Sequence, residues 1–167
     1  MNSALQCLSN TPELQQYFAR NAHQDELNTD NPLGMGGALA MAYGRLVQSI
    51  WAAQQGAVVP REFKMALARY APQFMGYAQQ DSQELLAFLL DGLHEDLNRI
   101  HRKPYIEAPD WTGGSDADMV RFAQQQWDLY KARNDSVIVD LFQGQYRSTL
   151  VCPVCHKVSI KFDPFMY

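Results

Sequence analysis

Gln79-Gln80-Asp81-Ser82-Gln83-Glu84-Leu85-Leu86 is the stretch whose reading decides the fold of this 167-residue chain. It follows a Gly-Tyr turn at Gly76-Tyr77 and sets two carboxylates at the mouth of a helix. Leu86, Leu89, Leu90, Leu93 and Leu97 then recur at the spacing that gathers one helical face into a buried stripe, so the segment from Gln79 to His101 is expected to be a helix built into a core. Asp81 as N-cap, with Glu84 three residues later, matches the carboxylate form of the capping box. Both acids also suit the positive end of the helix. The same two acids could instead bind something basic, and the local pattern alone leaves both roles open.

Working outward, the rest of the first hundred residues is also helical in pattern. Met1 to Leu8 reads as helix from its first residue, with Leu5 and Leu8 on one side. Thr11-Pro12-Glu13 is a helix start with proline at the first helical position, and Leu14, Tyr17 and Phe18 supply its apolar face. Asn31 to Gly37 carries loop chemistry. A longer helix follows with Leu39, Tyr43, Leu46, Val47 and Ile50 in register and Trp51 beside the stripe; Pro60 opens another, carrying Phe63, Leu67 and Tyr70, until Pro72 forbids continuation. Pro104 to Gly114 looks like a linker, and Ser115 to Ala132 is helical on the broken stripe Met119, Phe122, Trp127 and Tyr130.

From Val137 the pattern changes. Val158, Ile160 and Phe162 alternate with Lys157, Ser159 and Lys161, the period of a half-buried strand. Two strands joined at Cys152-Pro153-Val154-Cys155 make a hairpin with a knuckle at its tip. Helices first and strands last put the chain in the α+β class, divided as a helical portion over 1–103, a linker and helical insert over 104–136, and a β portion over 137–167.

Composition narrows the function. With 47% apolar and 19% charged residues the chain is an ordinary globular protein rather than a disordered one. A net charge of -4, with no basic run longer than Arg102-Lys103, argues against a nucleic-acid partner. No apolar run is long enough to cross a bilayer and no secretory leader pattern opens the sequence, so an intracellular, reducing compartment is expected, with no membrane partner. Three cysteines do not make a disulfide framework. Cys152 and Cys155 present two thiolates to one tetrahedral ion, half of a structural Zn²⁺ site that ordinarily closes with four ligands. A plain thiol pair, and a haem attachment motif ending in His156, are the competing readings of the same residues. Cys7, between Leu5 and Leu8 inside a helix already under way, is expected to be a buried, inert thiol rather than a nucleophile, because the helix field that activates a thiol fades within the first turn. None of His23, His94, His101 and His156 pairs with it in the pattern.

With those residues in view, the chain resembles the ubiquitin-specific proteases, papain-like cysteine deubiquitinases. Met1-Asn2-Ser3-Ala4-Leu5-Gln6-Cys7-Leu8 looks like the end of the family's cysteine box, G-N-T-C-F-M-N-S-x-L-Q-x-L. Tyr77 to Leu86 looks like its Q-Q-D-A/S-Q-E-L/F helix start, and the Cys152-x-x-Cys155 hairpin with Phe162-Asp163-Pro164-Phe165 looks like its fingers. The segment Asn98 to Tyr105 and the Phe-Asp-Pro-Phe ending are most similar to the large, insert-containing members of fungi and animals. The resemblance implies a papain-like thumb followed by the first finger hairpin. It also implies a nucleophile two residues before Met1, a general-base His beyond Tyr167, and no catalytic residue within the chain, which by itself is expected to be inactive. Asp81 and Glu84, with Gln79 and Tyr77 as neighbours, would meet the basic C-terminal tail of ubiquitin, and the partners would be ubiquitin and ubiquitinated proteins. The alternative is a non-catalytic ubiquitin-binding or zinc-binding interaction module.

Overall fold

The computed structural model describes residues 2–52 and 56–166. Its body is a set of helices: α1 (Asn2–Ser9), α2 (Pro12–Ala19), α3 (Ala38–Ala52), α4 (Arg61–Tyr70), α5 (Ser82–Asp96), α6 (Asp116–Lys131) and α7 (Val137–Phe142). A two-stranded antiparallel hairpin, β1 (Gly144–Val151) and β2 (Val158–Phe165), follows them. The expected α+β order is what is observed.

The core lies where the apolar stripes of α2, α3, α4 and α5 meet. Leu14, Phe18, Leu39, Tyr43, Leu67, Leu85, Leu89 and Leu93 are essentially without solvent exposure. Phe18 and Tyr43 meet edge to face at 5.0 Å between ring centroids, a geometry the ring quadrupoles favour. At Gly44 a methyl group would lie 2.6 Å from Nε2 of His23, so a glycine is required where α3 passes that buried ring. Gly92 plays the same part on α5, where a Cβ would meet Leu39 at 2.5 Å.

Several boundaries differ from those the sequence suggests. Helix α5 stops at Asp96, short of His101, because the chain is drawn off the helix axis by side chains of other segments. Asn28 Nδ2 donates to the Asn98 carbonyl at 2.8 Å, and Asn98 Oδ1 accepts from the amides of Ile100 and Asp135. Leu85 occupies the buried stripe in place of the half-buried Leu86. Thr11 sits at the N-cap of α2, but its hydroxyl makes no capping bond. The two-sided capping box occurs instead at α6, where Ser115 and Asp118 satisfy each other's backbone amides.

Val137 does not begin the β portion. Val137–Phe142 is a short helix capped by Ser136, whose Oγ accepts from the Val139 amide at 3.2 Å, and Val137, Ile138 and Val139 are all buried. The hairpin proper pairs Gly144 with Phe165 through to Val151 with Val158. Its inner face is only partly covered: Ile160 and Phe162 are half-buried, whereas Val158 remains exposed. Phe162 reaches Phe122 of α6 at 6.0 Å, and Trp111 from the linker covers Phe122 at 5.3 Å.

Candidate functional site

The start of α5 and the segment leading into it form the best-defined candidate site. Asp81 takes extended backbone angles, and its Oδ1 accepts from the Gln83 amide at 2.7 Å. One of the orphan N–H groups of the helix is thereby satisfied, and the second carboxylate oxygen stays exposed. Glu84 does not return to the Asp81 amide. Its Oε1 accepts from Gln73 Nε2 at 3.3 Å, so the reciprocal half of the expected capping box is absent and Glu84 keeps nearly all its acceptor capacity. Gln79 is exposed, and Tyr77 stands wholly clear of the surface at 102% relative exposure. Lys64 fixes this approach: Nζ donates to the Gly76 carbonyl at 2.9 Å and lies 4.5 Å above the Tyr77 ring.

A groove of about 410 Å³ runs past these residues between α1, α4 and the start of α5. Asn2 and Leu5 of α1 line it on one side, Phe63 of α4 and Phe74 form its apolar part, and Tyr77 and Gln80 border the other side. The tertiary structure thus brings the first residues of α1 and the Gln79–Leu85 segment, far apart in sequence, to one cleft. Asp81 and Glu84 adjoin its lining residues Gln80 and Leu85 in sequence without themselves lining it, and both are exposed acids without an ion-pair partner among the described residues.

Cys7, expected to be buried, is exposed. In a helix of eight residues only Leu8 and Ser9 reach the interior, and Cys7 falls on the outer face. Among the described residues no hydrogen bond joins its thiol to a histidine. His94 is engaged elsewhere, with Nδ1 2.8 Å from Ser136 Oγ and Nε2 3.4 Å from Asn134 Oδ1, and His23 is buried among the aromatic rings of Tyr17 and Phe18. Burial lowers both imidazoles from their ordinary range, so both are held neutral inside the core.

At the hairpin tip, the Cys152 amide donates to the Lys157 carbonyl at 3.0 Å and the His156 amide to the Cys152 carbonyl at 3.0 Å. His156 adopts a left-handed φ of 56° to close the turn. Hydrogen bonding from the backbone amides of Cys155 and Val154, with the Cys155 thiol, holds the pKa of the Cys152 thiol below its ordinary value. Amides aimed at sulfur stabilise a thiolate, the donor a thiophilic ion takes. Among the described residues no cluster of three or more His, Cys, Asp or Glu side chains stands ready to enclose a metal.

The model of the ubiquitin carboxyl-terminal hydrolase family matches residues 1–165. The chain belongs to that family, whose papain-like α+β architecture agrees with the helical body and hairpin. It is 61% identical over all of its 167 residues to ubiquitin carboxyl-terminal hydrolase 10 of Arabidopsis thaliana. Identity is 57% to ubiquitin carboxyl-terminal hydrolase 15 of Xenopus tropicalis and 58% to ubiquitin carboxyl-terminal hydrolase 4 of Bos taurus. The similarity extends to plant relatives as well as the animal ones. The chain spans 18% of the length of the Arabidopsis relative and 17% of the two animal ones. Among the described residues, no helix is long and apolar enough to cross a membrane.

Proposed function

We propose that this chain is the thumb and first finger hairpin of a cysteine-type ubiquitinyl hydrolase, an enzyme that cleaves the (iso)peptide bond after the C-terminal glycine of ubiquitin. The observation that carries the reading is the shared groove: Asn2 and Leu5 of the cysteine-box segment line the same cleft as Tyr77, Gln80 and Leu85. A peptide tail drawn along that cleft would pass Asp81 and Glu84, whose free carboxylate oxygens can accept paired hydrogen bonds from arginine. Asp81 does so while still capping α5, since one of its oxygens is engaged and the other free. Tyr77 and Gln79 flank the path. In this scheme the chain's residues bind and orient the tail, while the attacking thiolate, the oxyanion donors and the general-base histidine come from other parts of the enzyme.

Kinetics on the complete enzyme with a ubiquitin C-terminal fluorogenic substrate test the assignment. Glu84→Ala should raise KM about tenfold, the effect of one charge-assisted bond, and leave the melting temperature unchanged, because Glu84 makes only one long bond to Gln73. Asp81→Ala should raise KM similarly and also cost about 1 kcal/mol of stability as a lost N-cap. Unchanged kinetics in both variants would reduce the site to helix capping. The 167-residue polypeptide alone should give no turnover. Iodoacetamide-sensitive hydrolysis by it would overturn that expectation and put Cys7 back in play as a nucleophile.

Cys152 and Cys155 are proposed as half of a structural Zn²⁺ site, the remaining ligands coming from elsewhere in the enzyme. Cys152→Ser should abolish zinc retention by the complete enzyme in metal analysis; equal zinc in the wild type and the variant would leave the pair as plain thiols. The free thiols and the ubiquitin substrates both suit an intracellular enzyme.

A further inference from the structure

The linker ahead of α6 runs into the helix through Thr112-Gly113-Gly114-Ser115-Asp116-Ala117-Asp118, a stretch that neither the groove nor the cysteine knuckle uses. Of all the serines and threonines in the chain, Ser115 alone is followed by an acid three residues on, Asp118, and it has Asp116 at the next position as well. Residues 105–114 before it contain Glu107 and Asp110 and no Lys or Arg. The segment is also open to an enzyme. Residues 103–115 form no helix or strand, and Ser115 and Asp116 are exposed. At Gly113 (φ 97°) and Gly114 (φ 149°) the backbone takes left-handed angles that favour glycine, and no atom beyond the chain neighbours lies within 4 Å of where a Cβ of residue 113 would stand. Phe122 is the one buried residue of α6 among the described residues, so the first turn of the helix can peel away without exposing core.

We propose that Ser115 is the phosphate acceptor of an acid-directed Ser/Thr kinase, and that phosphate there opens the capping box of α6. Such a kinase would hold Asp116 and Asp118 by charge-assisted bonds from its own cations. In the transfer, Ser115 Oγ attacks the γ-phosphorus of ATP, the bond from that phosphorus to the β-phosphate oxygen breaks, ADP leaves, and the hydroxyl proton passes to the kinase's base. In the unmodified chain the Ser115 hydroxyl donates to Asp118 Oδ2 at 2.6 Å, the Ser115 amide donates to the same oxygen at 2.8 Å, and Ser115 Oγ accepts from the Asp118 amide at 3.3 Å. Phosphate removes the hydroxyl proton and sets a charge of about -1.5 to -2 beside that carboxylate. Arg121 is the one cation paired with Asp118, and Asp116 and Asp118 already meet the positive end of the helix. Repulsion therefore parts Ser115 from Asp118 and frays the first turn.

The test treats the complete protein with ATP and an acid-directed casein kinase, and locates phosphate by mass spectrometry of the tryptic segment 103–121. Cyclic-AMP-dependent protein kinase, which selects arginines before the acceptor, is the control enzyme. Phosphate on Ser115 from the first kinase and not the second supports the proposal. So does a kcat/KM about tenfold lower in Asp118→Asn and in Asp116→Asn, the loss of one charge-assisted contact. Asp116 lies outside the capping box, so its variant reads recognition with the box intact, whereas Asp118→Asn also loosens the box and would gain phosphate if exposure alone governed. Hydrogen exchange in the first turn of α6 should quicken about fivefold on phosphorylation, as for a lost cap, while α3 and α5 keep their rates. No phosphate on Ser115, its placement on Thr112 instead, transfer undiminished in both Asp variants, preference for the control kinase, or unchanged exchange in the modified protein would each overturn it. Phosphate transfer and amide exchange are read without ubiquitin turnover, so neither result depends on the hydrolase reading.

Discussion

Asp96 holds more of the backbone than any other side chain in the body. One fully buried carboxylate accepts from the amides of Met35 at 2.6 Å, Gly37 at 3.2 Å, Leu39 at 3.0 Å and Ala40 at 3.1 Å. It thereby caps α3 from the far end of α5. Asp96→Asn would turn an amide N–H₂ toward those donors, and a loss of about 3 kcal/mol is expected in urea unfolding, since each buried donor left without a partner costs 1–3 kcal/mol or so. Asp81 was legible in sequence because capping is local. Asp96 was not, since its partners lie 56 to 61 residues away. His94 and His23 give the molecule a pH dependence of defined sign. Burial is the leading cause that lowers each from 6.5; for His94, Glu95, Asn134 and Asp91 oppose the shift and Lys103 adds to it. Just below 6.5 the unfolded chain therefore binds protons that the native state refuses, so stability is full above that pH and falls as the pH drops toward the lower native values. Thermal unfolding should show a declining midpoint between about pH 7 and 5, in the histidine range, and His94→Gln should flatten the slope. An unchanged slope would assign the acid sensitivity to other groups.

At the scale of elements, the α6–hairpin contact is the joint most open to test. Phe122 is 9% exposed, sandwiched between Trp111 and Phe162, and it links β2 to the helical body. Phe122→Ala should weaken that joint by about 3 kcal/mol, the lower end for a buried phenylalanine. Hydrogen exchange should then quicken across Gly144–Val151 and Val158–Phe165 while α3 and α5 keep their protection; equal acceleration everywhere would mean that the hairpin and body unfold as one unit. Elements with strong local signals were readable: the stripes of α3 and α4, the proline stop before Pro72, and the hairpin from the alternation at Val158, Ile160 and Phe162. Helix α7 was missed because six residues hold too few turns to declare a period. Its one local clue was Ser136, a helix-capping residue just before the apolar run Val137-Ile138-Val139.

Across the whole molecule, apolar surface is distributed unevenly. The body encloses its leucines, while Tyr146, Leu150, Val151 and Val154 of the hairpin stand 57–86% exposed. Contiguous exposed apolar surface is sticky, so sedimentation velocity on the 167-residue polypeptide should reveal concentration-dependent association that Leu150→Lys with Val154→Asp relieves. Persistent association in that variant would point to another face. The sequence by itself determined the helical body, the hairpin with its cysteine tip, and the family, because periodicity, capping residues and short motifs act through neighbours in the chain. Only the tertiary structure decided that Glu84 is free of the cap, that Cys7 faces outward, that α5 ends at Asp96, and that α1 and the start of α5 share a groove. Each of those outcomes depends on contacts between segments distant in sequence, whose free energies no local pattern encodes.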